Sequence, residues 1–232
     1  MKQVLSTLVI HDMKNSLALL EMDLERLNHR KNVPMEAKDA YLRCLELKSR
    51  LINFLTVYKS EQFELEPCMV EVDITDFLEE LVDTGPSKIQ AQKRHITLCL
   101  TEAKISSEVK YAGIGHFDAY LIGLALESAL NNAVRFARHA VNIWFEQSQH
   151  SLNFLVSDDG HGIGTETQGA DSPSTGLGLE LCRAVAKCHH GQISLVNAHG
   201  GGALFNMKLA QRSYSRLRPP RCALPACERD PS

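Results

Sequence analysis

The sequence predicts a helical hairpin followed by an α/β sandwich, and three observations carry that reading. Residues 1–31 contain no proline or glycine and set Ile10, Met13, Leu17, Leu20, Leu24 and Leu27 at alternating spacings of three and four. That is the seam of a helix that packs on other helices. From Cys68 onward, short β-branched and aromatic segments alternate with helical ones, the pattern of a sheet covered by helices. Two glycine pairs, in Asp158-Asp159-Gly160-His161-Gly162-Ile163 and Thr175-Gly176-Leu177-Gly178-Leu179, fall at the edges of predicted elements. Glycine there lets the backbone turn and a ligand approach closely.

Taken in order, the first helix is interrupted by Asn28-His29-Arg30-Lys31-Asn32-Val33-Pro34. Pro34 suits the first position of a second helix, which runs to about Lys59 with Tyr41, Cys44, Leu51, Leu55 and Tyr58 on one face and Leu42, Leu45 and Ile52 beside them. Two helices joined by a short turn form an antiparallel hairpin. A lone hairpin leaves an apolar face wet, so two copies are expected to pair into a four-helix bundle, making the protein a homodimer. The polar stretch Ser60 to Pro67 reads as a hinge. It divides a helical unit, residues 1–62, from an α/β unit, residues 68–211. Residues 212–232, rich in proline and arginine, read as a disordered tail.

In the second unit, Cys68 to Ile74 reads as a strand, Thr75 to Val82 as a helix and Ile96 to Leu100 as a strand. Phe117 to Phe136 reads as a long helix, apolar except for Glu127, Ser128, Asn131, Asn132 and Arg135. Ser128, Asn132 and Arg135, at i, i+4 and i+7, share one stripe; on the plainer reading Glu127 and Asn131 face solvent. Ala140 to Phe145 with Leu152 to Val156, and Ile193 to Asn197 with Ala203 to Leu209, read as two hairpins. A helix from Leu179 to about His189 lies between them, its N-terminal amides suited to a phosphate. The whole is a mixed sheet with helices on one face.

Composition narrows the function. At 232 residues, 44% hydrophobic and 23% charged, the chain is an ordinary globular protein of one or two domains. A net charge of -3 gives no reason to expect a nucleic-acid partner or a membrane surface. No stretch is long and apolar enough to form a membrane segment, and the N-terminus lacks the features of a signal peptide. The seven cysteines show no C-x-x-C spacing, so free thiols in a reducing cytoplasm are expected. Cys182, Cys188, His189 and His190 fall on one predicted helix and its end, which argues against a zinc site.

The two glycine boxes resemble those of the ATP-binding domain of sensor histidine kinases, within the wider group that includes MutL and the type II topoisomerases. Gly200-Gly201-Gly202-Ala203-Leu204-Phe205 is similar to that family's closing glycine-rich strand, and Ser128-Ala129-Leu130-Asn131-Asn132-Ala133-Val134-Arg135-Phe136 to its asparagine box. The resemblance implies a Bergerat-type α/β sandwich binding ATP and Mg²⁺. In it Asp158 accepts a hydrogen bond from the adenine amino group, with Gly160, Gly162 and Ile163 beside it. Asn132 ligates Mg²⁺ and Arg135 meets the phosphates. Thr175, Gly176, Leu177, Gly178 and Leu179 line the phosphate end. Glu127 orders water near the γ-phosphate, and Ser128 replaces the asparagine usual at its position. Residues 164–175 form a short lid over the nucleotide.

His11, judged alone, reads as a surface histidine. Its company, His11-Asp12-Met13-Lys14-Asn15-Ser16-Leu17, resembles the phosphoacceptor box of the same family, with Ser16 where a proline is common. The resemblance makes His11 the phosphorylated nucleophile, Asp12 its general base and Asn15 the residue that positions water for dephosphorylating a partner. The implied function is a two-component histidine kinase that passes phosphate to a response-regulator receiver domain. Only ten residues precede His11, so input is expected from a separate sensor chain or a missing sensor domain. Two other readings compete. One is a phosphotransferase or phosphatase with weak ATP turnover, the other an ATP-gated binding module in which His11 is incidental.

Overall fold

A computed structural model describes residues 15–27, 34–62, 65–164 and 176–211. His11, Asp12, the segment 165–175 and the C-terminal segment lie outside the described residues. Residues 15–27 are helical (α1) and are followed by α2, Met35–Gln62. Pro34 precedes α2 rather than opening it, and its carbonyl accepts from the amides of Ala37 and Lys38 at 3.1 and 3.4 Å. The helix outruns its expected end by one turn, to Gln62, into the stretch taken for a hinge.

The two helices run antiparallel. Cys44 Sγ lies 4.0 Å from the Leu17 carbonyl oxygen and is buried between the helices. Glu25, two turns further along α1, lies near Tyr41, which is earlier in α2. Burial and then the charges of Glu25 and Glu21 push the Tyr41 phenol up. Lys48 Nζ meets Glu21 Oε2 at 2.5 Å. Leu19, Leu20, Met22, Leu47 and Phe54 stay exposed, Leu19 at 64%.

The second unit has two sheets. Strands β1 (Val70–Asp73) and β4 (Ile114–Phe117) pair antiparallel. The main sheet has the order β2-β5-β6-β8-β7, with β3 also on β5. Its strands are β2 (Thr97–Leu100), β3 (Lys104–Ile105), β5 (Ala140–Gln147), β6 (Ser151–Asp158), β7 (Gln192–Asn197) and β8 (Ala203–Ala210). β2 and β3 run parallel to β5, and the other pairs are antiparallel. Both predicted hairpins are therefore present. Burial along β5 alternates residue by residue, the mark of a sheet covered on one face.

The covering layer is α5 (Ala119–Phe136) and α6 (Leu177–Cys188), with α3 (Ile74–Thr84) beside them. Ile122, Leu126 and Leu130 of α5 and Leu181 and Val185 of α6 are fully buried against Ile143, Phe154 and Met207 of the sheet. Phe117 and Phe154 meet edge to face at 5.5 Å, and Phe77 meets Phe117 at 5.4 Å. Each such buried ring contributes roughly 1.5–3 kcal/mol through area alone.

Phe117, expected in the long helix, instead closes β4, because Asp118 caps the helix. Asp118 Oδ1 accepts from the Leu121 amide at 2.9 Å, and Oδ2 accepts from the Cys68 amide at 2.8 Å. The second bond takes Cys68 out of the predicted strand, which starts at Val70. His189 ends α6 in the core. Its Nδ1 lies 2.8 Å from the Val185 carbonyl oxygen, and its Nε2 accepts from the Asp118 amide at 3.0 Å. Burial holds its pKa below the usual histidine value.

One helix escapes the sequence pattern. α4, Pro86–Arg94, is almost wholly polar and carries no periodic apolar face to announce it. Pro86 presets its first turn, and Ser87 and Ala91 are its buried residues. Lys93 at its end pairs with Asp39 of α2 at 2.7 Å, and that hydrogen bond holds the exposed Asp39 carboxyl below its ordinary value. Among the described residues, no helix is long and apolar enough to cross a membrane.

Candidate nucleotide site

Helix α5, the end of β6 and the start of α6 converge on one region. β6 delivers Asp158 at its last position. The carboxylate is half-buried, and burial pushes its pKa up, while the amides of Gly160 and Ala203 pull the other way. Gly160 N–H donates to Asp158 Oδ1 at 2.8 Å. The glycines around it are steric necessities. A Cβ on Gly160 would lie 2.2 Å from the Phe136 carbonyl oxygen at the end of α5. A Cβ on Gly202 would lie 1.9 Å from the Asp158 carbonyl oxygen. The closing glycine strand thus packs directly on the aspartate's backbone, and the first glycine box on the end of α5.

The second box meets α5 in its middle. Gly176 caps α6 at φ 71°, left-handed backbone that favours glycine. Gly178 sits against the α5 stripe, where a Cβ would be 2.5 Å from Ser128 Oγ and 3.4 Å from Asn132 Nδ2. Ser128 is buried, Asn132 and Arg135 half-buried. The Arg135 guanidinium lies over the Phe136 ring at 5.4 Å. The structure therefore brings Ser128, Asn132 and Gly178 together at one end and Asp158, Gly160 and Gly202 at the other. Leu177 and Leu179 are half-buried on the first turn of α6. Ile163 is exposed at the turn after Gly162.

Glu127 does not join the stripe, nor does it face solvent. It is 9% exposed, and its Oε1 accepts from the Ser87 amide at 2.5 Å and from Asn131 Nδ2 at 3.0 Å. Ser87 Oγ donates to Oε2 at 3.1 Å. Its carboxylate binds the start of α4 as a cap on that helix. Burial raises its pKa, with the bonds from Ser87 and Asn131 opposing. Asn15 is exposed on α1. His11, Asp12 and Thr175 lie outside the described residues.

Two residues of the region were not singled out in the sequence. Asp159 accepts from the amides of Arg138, His139 and Ala140, which follow α5, at 2.8 to 3.3 Å. Asn197, at the end of β7, accepts through Oδ1 from the Ile163 amide at 2.5 Å. A Cβ on Gly162 would lie 2.6 Å from that oxygen. No local sequence signal marks these bonds, which join residues 19 to 34 apart in the chain. Among the described residues, no group of three or more histidine, cysteine or acidic side chains forms a metal site.

Comparison with known proteins places this geometry. Residues 117–213 match the family of histidine kinase-, DNA gyrase B- and HSP90-like ATPases. The alginate biosynthesis sensor protein KinB of Pseudomonas aeruginosa is 24% identical over 220 residues, which cover 86% of this chain and 35% of that protein. This chain thus spans about a third of the length of that relative. Among solved structures, full-length ShkA in complex with AMPPNP aligns over 91% of this chain and 46% of its own, with a TM-score of 0.64 at 19% identity. The Acinetobacter baumannii histidine kinase AdeS aligns over 87% of this chain and 98% of its own, with a TM-score of 0.59 at 20% identity. These likenesses share the fold of N-terminal helices followed by the α/β sandwich. The chain is thus similar over most of its length to a sensor histidine kinase, and its residues 117–213 match the histidine kinase-, DNA gyrase B- and HSP90-like ATPase domain.

Proposed function

We propose that this chain is the kinase core of a two-component system, which transfers the γ-phosphoryl group of ATP to His11 and thence to an aspartate of a response-regulator receiver domain. Residues 1–62 serve as the dimerising phosphoacceptor hairpin and residues 68–211 as the ATP-binding domain. The observation that carries the reading is the seating of both glycine boxes on one helix. Gly160 lies at the end of α5, and Gly178 lies on Ser128 and Asn132 in its middle. That arrangement offers a base-recognising carboxylate at one end and amide donors at the other.

Asp158 receives the adenine amino group. The amides at the start of α6 and the Arg135 guanidinium take the phosphates. Asn132 offers an amide oxygen to Mg²⁺. That hard ion binds through few protein ligands together with phosphate oxygens, so the donors present fit it. When bound, it neutralises phosphate charge. The chemical step is in-line: a ring nitrogen of His11 forms a bond to the γ-phosphorus as the bond to the β–γ bridging oxygen breaks, and ADP leaves. Asp12 holds the imidazole and takes its proton. The exposed apolar face of the hairpin, with Leu19, Leu20 and Phe54, supports a second copy as its cover.

The roles of two neighbours test the reading. Asp12→Asn is expected to slow autophosphorylation by roughly 10²–10⁴-fold, the usual contribution of a general base. Asn15→Ala is expected to spare that step and slow dephosphorylation of the receiver, because an amide cannot serve as a base but can hold water. Wild-type protein that accepts phosphate only from a phosphorylated receiver, and never from ATP, would instead make this a phosphotransferase.

A further inference from the structure

Asp159 lies next to the adenine-binding carboxylate, yet its own carboxylate faces another way. Oδ1 accepts from Arg138 N at 2.8 Å, His139 N at 3.0 Å and Ala140 N at 3.3 Å, and Oδ2 accepts from His139 N at 3.0 Å. Those amides belong to the link between α5 and β5 and to the first residue of β5, and Ala137 caps the end of α5. One side chain in the base-binding turn therefore gathers three successive donors from the end of the helix that carries Asn132 and Arg135. From the other side, Asn197 Oδ1 holds the same turn through the Ile163 amide. Contact between Gly160 and the Phe136 carbonyl closes the gap, leaving no room for a Cβ.

We infer that Asp159 is a positioning residue that fixes the span between the base end of the nucleotide site and its phosphate and metal end. The inference rests on the ATP-binding reading above. The two ends stand on different elements, β6 for Asp158 and α5 for Asn132 and Arg135. A ligand as long as ATP gains from both only if their separation is set before binding. Asp159 sets it where α5 leaves off. The residue is suited to this because its carboxylate stays ionised: burial would raise its pKa, but the amides of His139, Arg138 and Ala140 outweigh that and hold it below the usual range. The anchored link is exposed, so water can satisfy its amides when Asp159 is lost. The fold therefore survives the loss while the span relaxes.

The test compares a long ligand with a short one on the full chain. Asp159→Ala is expected to weaken Mg·ATP about tenfold, the scale of one lost charge-assisted interaction. AMP, which engages the base end alone, is expected to change by less than twofold. Asp159→Asn should fall between, since its oxygen still accepts but its NH₂ opposes the His139 amide. Amide exchange at residues 138–140 should speed up in the Ala variant with only a small fall in melting temperature, since a carboxylate held below its ordinary pKa stabilises the fold. Equal weakening of ATP and AMP overturns the role in favour of a general support of the site, and unchanged ATP affinity or unchanged exchange overturns it outright. Wild-type protein that binds no ATP removes the ATP-binding reading and this role with it, an outcome read without any variant.

Discussion

Asp158→Asn is expected to weaken ATP binding by about a hundredfold, the upper range for losing a hydrogen bond to a charged group in a partly dry site. The local geometry leaves an amide no good arrangement. The amides of Gly160 and Ala203 both donate to the carboxylate, and an asparagine has only one oxygen to receive them. Its NH₂ is then turned toward the adenine amino group, donor against donor. The fold should persist, because Gly160 and Gly202 pack on the backbone of residue 158 and of Phe136, which the change does not touch. Isothermal calorimetry with Mg·ATP reads the affinity, and circular dichroism confirms the fold. Equal affinities for variant and wild type would show that the base is read elsewhere.

Glu127→Ala is expected to cost about 3 kcal/mol of stability, from lost hydrogen bonds and an unfilled space in the core. Truncation leaves the Ser87 amide, the Ser87 hydroxyl and the Asn131 amide group without their acceptor. The Ser87 side chain is fully buried, so water does not readily replace it. Glu127→Gln keeps the shape and should cost less, with a pH signature. Burial raises the folded carboxyl above its ordinary 4.5. The stabilisation tied to its neutral form is therefore complete below the unfolded value and is lost as pH rises through the folded one. Wild type should lose stability over that interval relative to the Gln variant, which has no proton to give up. Urea denaturation across pH 4 to about 8 measures both effects. An Ala variant as stable as wild type would mean that α4 is held by Pro86 and Ala91 alone.

Most of the sandwich was legible because its strands alternate and its long helix is apolar. Val141, Ile143 and Phe145 point inward in turn, and that period is written in the residues. What escaped was held by particular side chains rather than by pattern. α4 has no apolar period and depends on a carboxylate forty residues away, at Glu127. β4 is a four-residue strand that exists by pairing with β1, and its last residue, Phe117, blended into the apolar run of α5. For the site, the glycines were readable because only they fit against Phe136, Asp158 and Ser128. The bonding of Asp159 and Asn197 was not, since it joins elements distant in sequence. The solvent-facing reading of Glu127 failed for the same reason: the residue is buried, and its partner comes from α4.

ATP is expected to phosphorylate this protein on His11. Incubation of the full chain with γ-labelled ATP and Mg²⁺, followed by acid or base, tests it most directly, because a phosphorus–nitrogen bond is cleaved in acid and survives base. Wild type should take up an acid-labile, base-stable label, and His11→Gln should take up none while binding ATP as tightly as wild type. A label that persists on His11→Gln, or wild-type protein that binds ATP and acquires no label, would contradict the account.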